Sequence, residues 1–190
     1  MTQTSTDMAI SCPAWSISGY LEVRDGHLNI NGADALDLVG QYDSPLFVFS
    51  EPRIRDNIAR LQYAAGVVDR PIKFCYASKA NSNMAILKTV LESGIDVEVN
   101  SGGELFKALR VGFHPQQIVF NGTSKSDNEI DDAVRAGIYA INVDSIYEID
   151  LVDASVKRLR AQGEDVSPAR ITLRLVPEIG TRSHLGLQTA

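Results

Sequence analysis

From residue 45 onward the hydrophobic positions switch between two periods. Short β-branched or aromatic runs come first: Leu46-Phe47-Val48-Phe49, Ile72 to Tyr76, Ile95 to Val99, Ile118 to Phe120, Tyr139 to Val143 and Ile171 to Leu175. Each has the length and residue types of a β-strand. Between them, apolar residues recur at three- and four-residue steps, which places them on one face of a helix. Pro52 to Ala65 carries Ile54, Ile58, Leu61 and Ala65 in this way, with Ser50 as N-cap and Pro52 in the first turn. Met84 to Leu91, Glu104 to Val111, Asp127 to Ala136 and Ser145 to Ala161 repeat the pattern, and Gly112, Gly137 and Gly163 mark the ends of the last three.

Strand and helix alternating with short connections predict an α/β fold with a parallel sheet built from right-handed crossovers. The repeat suits a (β/α)8 barrel or a doubly wound sheet, and the pattern does not choose between them. The lack of a GxGxxG fingerprint after the first strands leans toward the barrel. Residues 15–42 read differently. Tyr20 to Val23 and His27 to Ile30 alternate apolar and polar around Asp25-Gly26, which predicts a β-hairpin with a tight turn. Ala33 to Tyr42 reads as a short helix. The expected organisation is a disordered tail over 1–14, a hairpin, short helix and strand lead-in over 15–50 from a second β-domain, and an incomplete barrel over 51–190.

Composition removes several function classes. The 190 residues carry a net charge of −6, which argues against nucleic acid as a partner, because such a binder needs a basic face. No apolar run approaches the ~18 residues of a membrane span. Met1 to Ser11 lacks the basic start and apolar centre of a signal peptide. Cys12 and Cys75 form no paired motif, so both thiols are expected to be free in a reducing cytoplasm. His27, His114 and His184 are scattered and suggest no metal site.

Five places could carry chemistry. Lys79 follows a strand, within Ala77-Ser78-Lys79-Ala80-Asn81. That is where parallel α/β folds keep their active sites, and partial desolvation would free its amine for a Schiff base. Its position alone reads as that of a solvated loop lysine. Ser101-Gly102-Gly103-Glu104 opens a helix, either as an anion cradle of backbone N–H groups or as a plain capping box. Glu98 lies near a strand's C-terminal end, to tune a cofactor or to face water. Asn121-Gly122 and Asn142 end strands and line the same mouth or make turns. Arg174, inside the last strand, needs a partner, for which Glu98 is available.

Six stretches taken in order resemble the pyridoxal-phosphate-dependent decarboxylases of diaminopimelate and ornithine type, whose barrel is like that of alanine racemase. They are Asp43 to Phe49, Tyr76 to Asn81, Val97 to Leu105, Ile118 to Gly122 with Lys125, Gly137 to Ser145, and Leu173 to Pro177 with His184. The resemblance covers roughly residues 18–190 and implies a (β/α)8 barrel plus a β-domain. It makes Lys79 the Schiff-base lysine of pyridoxal 5'-phosphate, and it places Glu98 and Arg174 near the cofactor. The family usually has aspartate where Glu98 stands, and His184-Leu185-Gly186-Leu187 departs from its His-Pro-Tyr-Ile.

The implied activity is decarboxylation of an amino acid, diaminopimelate to lysine or a related basic amino acid. A racemase of the same barrel and a non-catalytic binding relative are the alternatives. The implied partners are a small amino acid and a second copy of the chain in a homodimer. The family's ring-stacking histidine, Gly-rich phosphate loop, pyridine-pairing glutamate and β-domain cysteine would all follow Ala190. The expectation is therefore a fragment, or a short member, that turns nothing over by itself.

Overall fold

A computed structural model describes residues 14–175. The tail, Cys12 and His184 lie outside these residues. The described chain divides into two compact units after Asn57, and each is taken by itself.

In the first unit, β1 (Leu21–Arg24) and β2 (His27–Ile30) form the expected hairpin, with Leu21 opposite Ile30 and Arg24 opposite His27. Asp25 and Gly26 both take positive φ (51° and 80°), as a tight type I′ turn requires. A short strand, β3 (Ala33–Asp34), pairs antiparallel with β2 and completes a three-stranded sheet. The helix expected from Ala33 starts two residues later, as α1 (Ala35–Tyr42). Asp34 ends the strand and caps the helix, its side chain accepting the Leu36 N–H.

The strand expected over Leu46–Phe49 does not form. These residues pair with no strand among the described residues, and Phe47 is 86% exposed. Strand-like composition is local, whereas a strand also needs a neighbour to satisfy its backbone. The next helix, α2 (Glu51–Ala65), begins where Ser50 caps it through the Arg53 N–H, and the division between the units falls inside it.

The second unit carries the remaining elements. Five parallel strands run in sheet order β4 (Cys75–Ala77), β5 (Asp96–Val99), β6 (Ile118–Phe120), β7 (Ala140–Val143) and β8 (Ile171–Leu173). Sheet order equals chain order. A doubly wound sheet reverses its strand order at a switch point, whereas a barrel winds always one way. The choice left open by periodicity falls on the barrel side. Among the described residues, β4 and β8 each have one strand neighbour, so the sheet is open at both edges.

Four helices connect the strands: α3 (Met84–Glu92), α4 (Gly102–Val111), α5 (Asp127–Ala136) and α6 (Ile146–Ala161). They pack side by side in chain order, with α4 against β5 and β6 and α6 against β7. Alternate strand residues fill the core: Val97, Val99, Ile118, Phe120, Ile141 and Val143 are almost wholly buried. The register aligns Val97 with Ile118 and Phe120 with Ile141, so they share one face. The opposite face, which carries Asp96, Glu98, Val119 and Asn142, is only half-buried. The C-terminal ends of the strands hold every candidate site residue.

Candidate functional site

Lys79 sits in a single 3-10 turn, Ser78–Ala80, directly after β4. Both flanks of that turn are anchored. On one side Ser78 is fully buried, and its hydroxyl lies between the Glu104 carboxylate and the Glu98 carbonyl oxygen (2.8 Å). On the other side the Tyr76 hydroxyl donates to the Asn81 carbonyl (3.1 Å). Lys79 itself is exposed, and its amine has no hydrogen-bond or ion-pair partner among the described residues. The desolvation invoked from sequence is absent, because β4 is an edge strand of the described sheet.

Glu98 points from β5 into the same mouth. Its Oε1 accepts from the side-chain amides of Asn100 (3.2 Å) and Asn121 (2.7 Å). Asn121 thereby turns its amide nitrogen toward the carboxylate, and its own Oδ1 is buried with no partner among the described residues. A buried acceptor without a donor is rare in a finished fold. The next residue, Gly122, takes φ +105°, and a Cβ there would lie 2.7 Å from the Asn100 carbonyl oxygen. Asn121-Gly122 is therefore a close crossing of two loops rather than a simple turn. Asn142, on β7, is half-buried on the same face of the sheet.

Arg174 follows β8 instead of lying inside it. Its backbone N–H still joins the ladder by donating to Val143, but its guanidinium approaches Asp144 (3.6 Å), not Glu98. Adjacent strands bring Arg174 and Asp144 together, while Glu98 lies three strands away in the sheet.

Of the two readings of Ser101-Gly102-Gly103, the helix cap is the one that forms. The stretch opens α4 with Ser101 as N-cap, the hydroxyl accepting from the Glu104 N–H (3.3 Å). The anion at this helix start is the chain's own: Glu129 Oε1 accepts the Gly102 N–H at 2.6 Å. Glu129 is held below the ordinary carboxylate range by that bond first and by the Ser126 N–H next. A Cβ on Gly102 would meet Glu129 Cγ at 2.9 Å, so the glycine makes room for the carboxylate.

Sequence reasoning missed that this arrangement repeats. Ser126 and Ser145 also stand three residues before a glutamate and cap α5 and α6. Glu129 closes a reciprocal box with Ser126 and continues to Gly102, at the start of the preceding helix. Glu104 accepts from the Asn100 N–H (2.9 Å) and from Ser78, in the loop after β4. Glu148 accepts from the Asp144 N–H (2.8 Å) and from Lys125 Nζ (3.2 Å), in the loop after β6. Lys125 and Glu148 form a buried pair, and Lys125 also donates to the Gly122 carbonyl (2.6 Å). The signal was visible as three Ser-x-x-Glu repeats, each at a helix start. Each glutamate ties its own loop to the one before it.

Comparison with known proteins matches this architecture to one family. Residues 53–190 fit the sequence family described as pyridoxal-dependent decarboxylase, pyridoxal binding domain. The chain is 36% identical over 165 residues to the diaminopimelate decarboxylase of Methanothermobacter thermautotrophicus, covering 86% of this chain and 36% of that protein. It is 35% identical over 161 residues to that of Bacillus subtilis, covering 85% and 35%. Among solved structures, diaminopimelate decarboxylase from M. jannaschii in complex with L-lysine superposes with a TM-score of 0.76 at 33% identity, over 85% of this chain and 37% of that one. The chain thus spans little more than a third of the relatives' length. No helix among the described residues is long and apolar enough to cross a membrane. Sequential parallel strands, the mouth at their C-terminal ends and the match over residues 53–190 agree: the chain belongs to the pyridoxal-dependent decarboxylases, as their pyridoxal-binding domain.

Proposed function

We propose that this chain supplies the lysine side of a pyridoxal-phosphate site in an enzyme that decarboxylates diaminopimelate or a related basic amino acid. The observation that carries the proposal is Lys79: an exposed amine with no hydrogen-bond or ion-pair partner among the described residues, on a turn anchored at both flanks, at the C-terminal end of a parallel strand. Lys157, exposed on α6, is by contrast paired with Asp153. A lysine amine is the side chain that forms a Schiff base with a carbonyl group, and the anchored turn fixes the point from which this one reaches.

The residues at the mouth fit the cofactor. Lys79 would hold it through the ε-amine, and Glu98 places a carboxylate, held by the Asn100 and Asn121 amides, at the same strand ends. Arg174, at the exit of β8, would contribute a cation at the far side. The start of α4 is closed to a phosphate, because Glu129 fills it. The bound group would accept the electron pair left when a substrate carboxylate departs as CO2. The chain's own part is to orient: the Ser78–Ala80 turn aims the amine, and the two asparagines hold the Glu98 carboxylate in place. We further assign residues 15–50 to a β-domain lead-in and 51–190 to the barrel, with the whole protein a homodimer.

The test is chemical. The chain is incubated with pyridoxal 5'-phosphate, reduced with borohydride and digested, and the modified peptide is located by mass spectrometry. Modification is expected at Lys79 and lost in Lys79→Ala. Labelling spread evenly over surface lysines would sink the assignment.

A further inference from the structure

We infer that Glu104 is a positioning residue for Lys79, acting through Ser78. The inference rests on Lys79 being the attachment point proposed above. The Ser78 hydroxyl has one proton and two acceptors, and the Glu104 carboxylate is the stronger of them. Ser78 is fully buried, so this proton has no water to turn to. The carboxylate is fixed in turn by the Asn100 N–H and lies in the first turn of α4, where the helix end favours negative charge. A side chain 26 residues away thus sets the backbone of the turn that carries Lys79.

The three glutamate clamps are alike in form but not in what they hold. Glu129 grips a backbone N–H at the start of α4, and Glu148 grips a buried lysine that is itself consumed in the contact. Only the Glu104 clamp ends beside an amine that is exposed and unpaired among the described residues. Because the Lys79 amine has no hydrogen-bond or ion-pair partner among the described residues, its direction depends on the backbone beneath it. Loss of the clamp therefore alters the reactivity of Lys79 before it alters the fold.

The experiment compares labelling of Lys79 with labelling of exposed Lys157 in the same sample of the intact chain, using pyridoxal 5'-phosphate and borohydride. Ser78→Ala and Glu104→Gln are each expected to lower the Lys79 to Lys157 rate ratio about tenfold, the scale on which misplacing a reacting group acts. Glu148→Gln breaks an equivalent clamp two strands away and is expected to leave the ratio unchanged. An unchanged ratio in Ser78→Ala and Glu104→Gln overturns the inference, and so does an equal fall in Glu148→Gln. If Lys79 is not labelled even in the native sequence, the cofactor assignment fails instead. Hydrogen exchange at the Lys79 and Ala80 amides then decides the positioning role. It is expected to quicken about tenfold in Ser78→Ala and Glu104→Gln but not in Glu148→Gln, and no change overturns the inference.

Discussion

The Glu129 carboxylate stands 2.6 Å from the backbone nitrogen of Gly102, across 27 residues of chain. A glycine and a glutamate that look unrelated in sequence form one contact, in which the first makes room and the second fills it. The contact locks the start of α4 to the start of α5, and so holds the strand-end loops of β5 and β6 in one arrangement.

Gly102→Ala is expected to destabilise the chain by about 1 to 2 kcal/mol, the cost of losing a charge-assisted hydrogen bond, offset in part by the better helix propensity of alanine. The cause is specific: the new Cβ would meet Glu129 Cγ at 2.9 Å. In a Glu129→Ala background the same change should become neutral or mildly stabilising. Chemical denaturation of the four proteins in this cycle checks the coupling. Additive effects would show that the two residues do not share a contact.

Glu129 also carries a pH signature. Its pKa is lowered from the ordinary 4.5 by the N–H groups of Gly102 and Ser126. A carboxylate with a depressed folded-state pKa adds stability that is fully present above its unfolded value and is lost as pH falls through the folded value. The stability gap between the native sequence and Glu129→Gln should therefore be constant above the ordinary carboxylate value of 4.5 and shrink as the pH falls below it. A gap that widens on acidification would reverse the assignment.

The parts legible in sequence are those with local causes. The hairpin followed from Asp25-Gly26, the helix starts from Ser50 and Ser101, and the strands β5 to β7 from short β-branched runs, because each signal lies within a few residues of its effect. Leu46–Phe49 looks as strand-like as Ile118–Phe120, but only the second finds neighbours on both sides. Pairing partners are not written in the strand itself. The site divides the same way. Lys79 and Glu98 were placed at strand ends by local pattern, whereas Arg174 leaving β8 to choose Asp144 and Glu129 filling the Gly102 site depend on which loops the fold sets side by side.

Gly122 tests the loop crossing. Its φ of +105° is unfavourable for any side chain, and a Cβ would lie 2.7 Å from the Asn100 carbonyl oxygen, a backbone atom that cannot swing aside. Gly122→Ala is expected to cost about 3 kcal/mol, combining backbone strain with displacement of the Asn100 loop. The displacement should also loosen the bond from the Asn121 amide to Glu98, visible as a shifted and broadened Asn121 side-chain amide signal by NMR. A loss under about 1 kcal/mol would mean that the loops do not approach this closely.

Lys125 and Glu148 pose the question of whether a buried ion pair stabilises or only avoids a penalty. Their side chains are 1% and 8% exposed, and Nζ lies 3.2 Å from the carboxylate. Removing one partner leaves the other charge in a poorly solvated place, so Lys125→Met is expected to destabilise by about 3 to 5 kcal/mol. Of its present bonds the Glu148 carboxylate would then keep the one from the Asp144 N–H. Neutralising both, as Lys125→Met with Glu148→Gln, removes the stranded charge while filling similar volume, and should recover more than half of that loss. Unfolding by denaturant, with the single Glu148→Gln variant completing the cycle, gives the coupling directly. If the double variant is as unstable as the sum of the singles, the pair is worth little and the charges are better hydrated than their burial implies. If it recovers, the lysine is there because the glutamate is, and the glutamate is there because the loop after β7 needs its carboxylate.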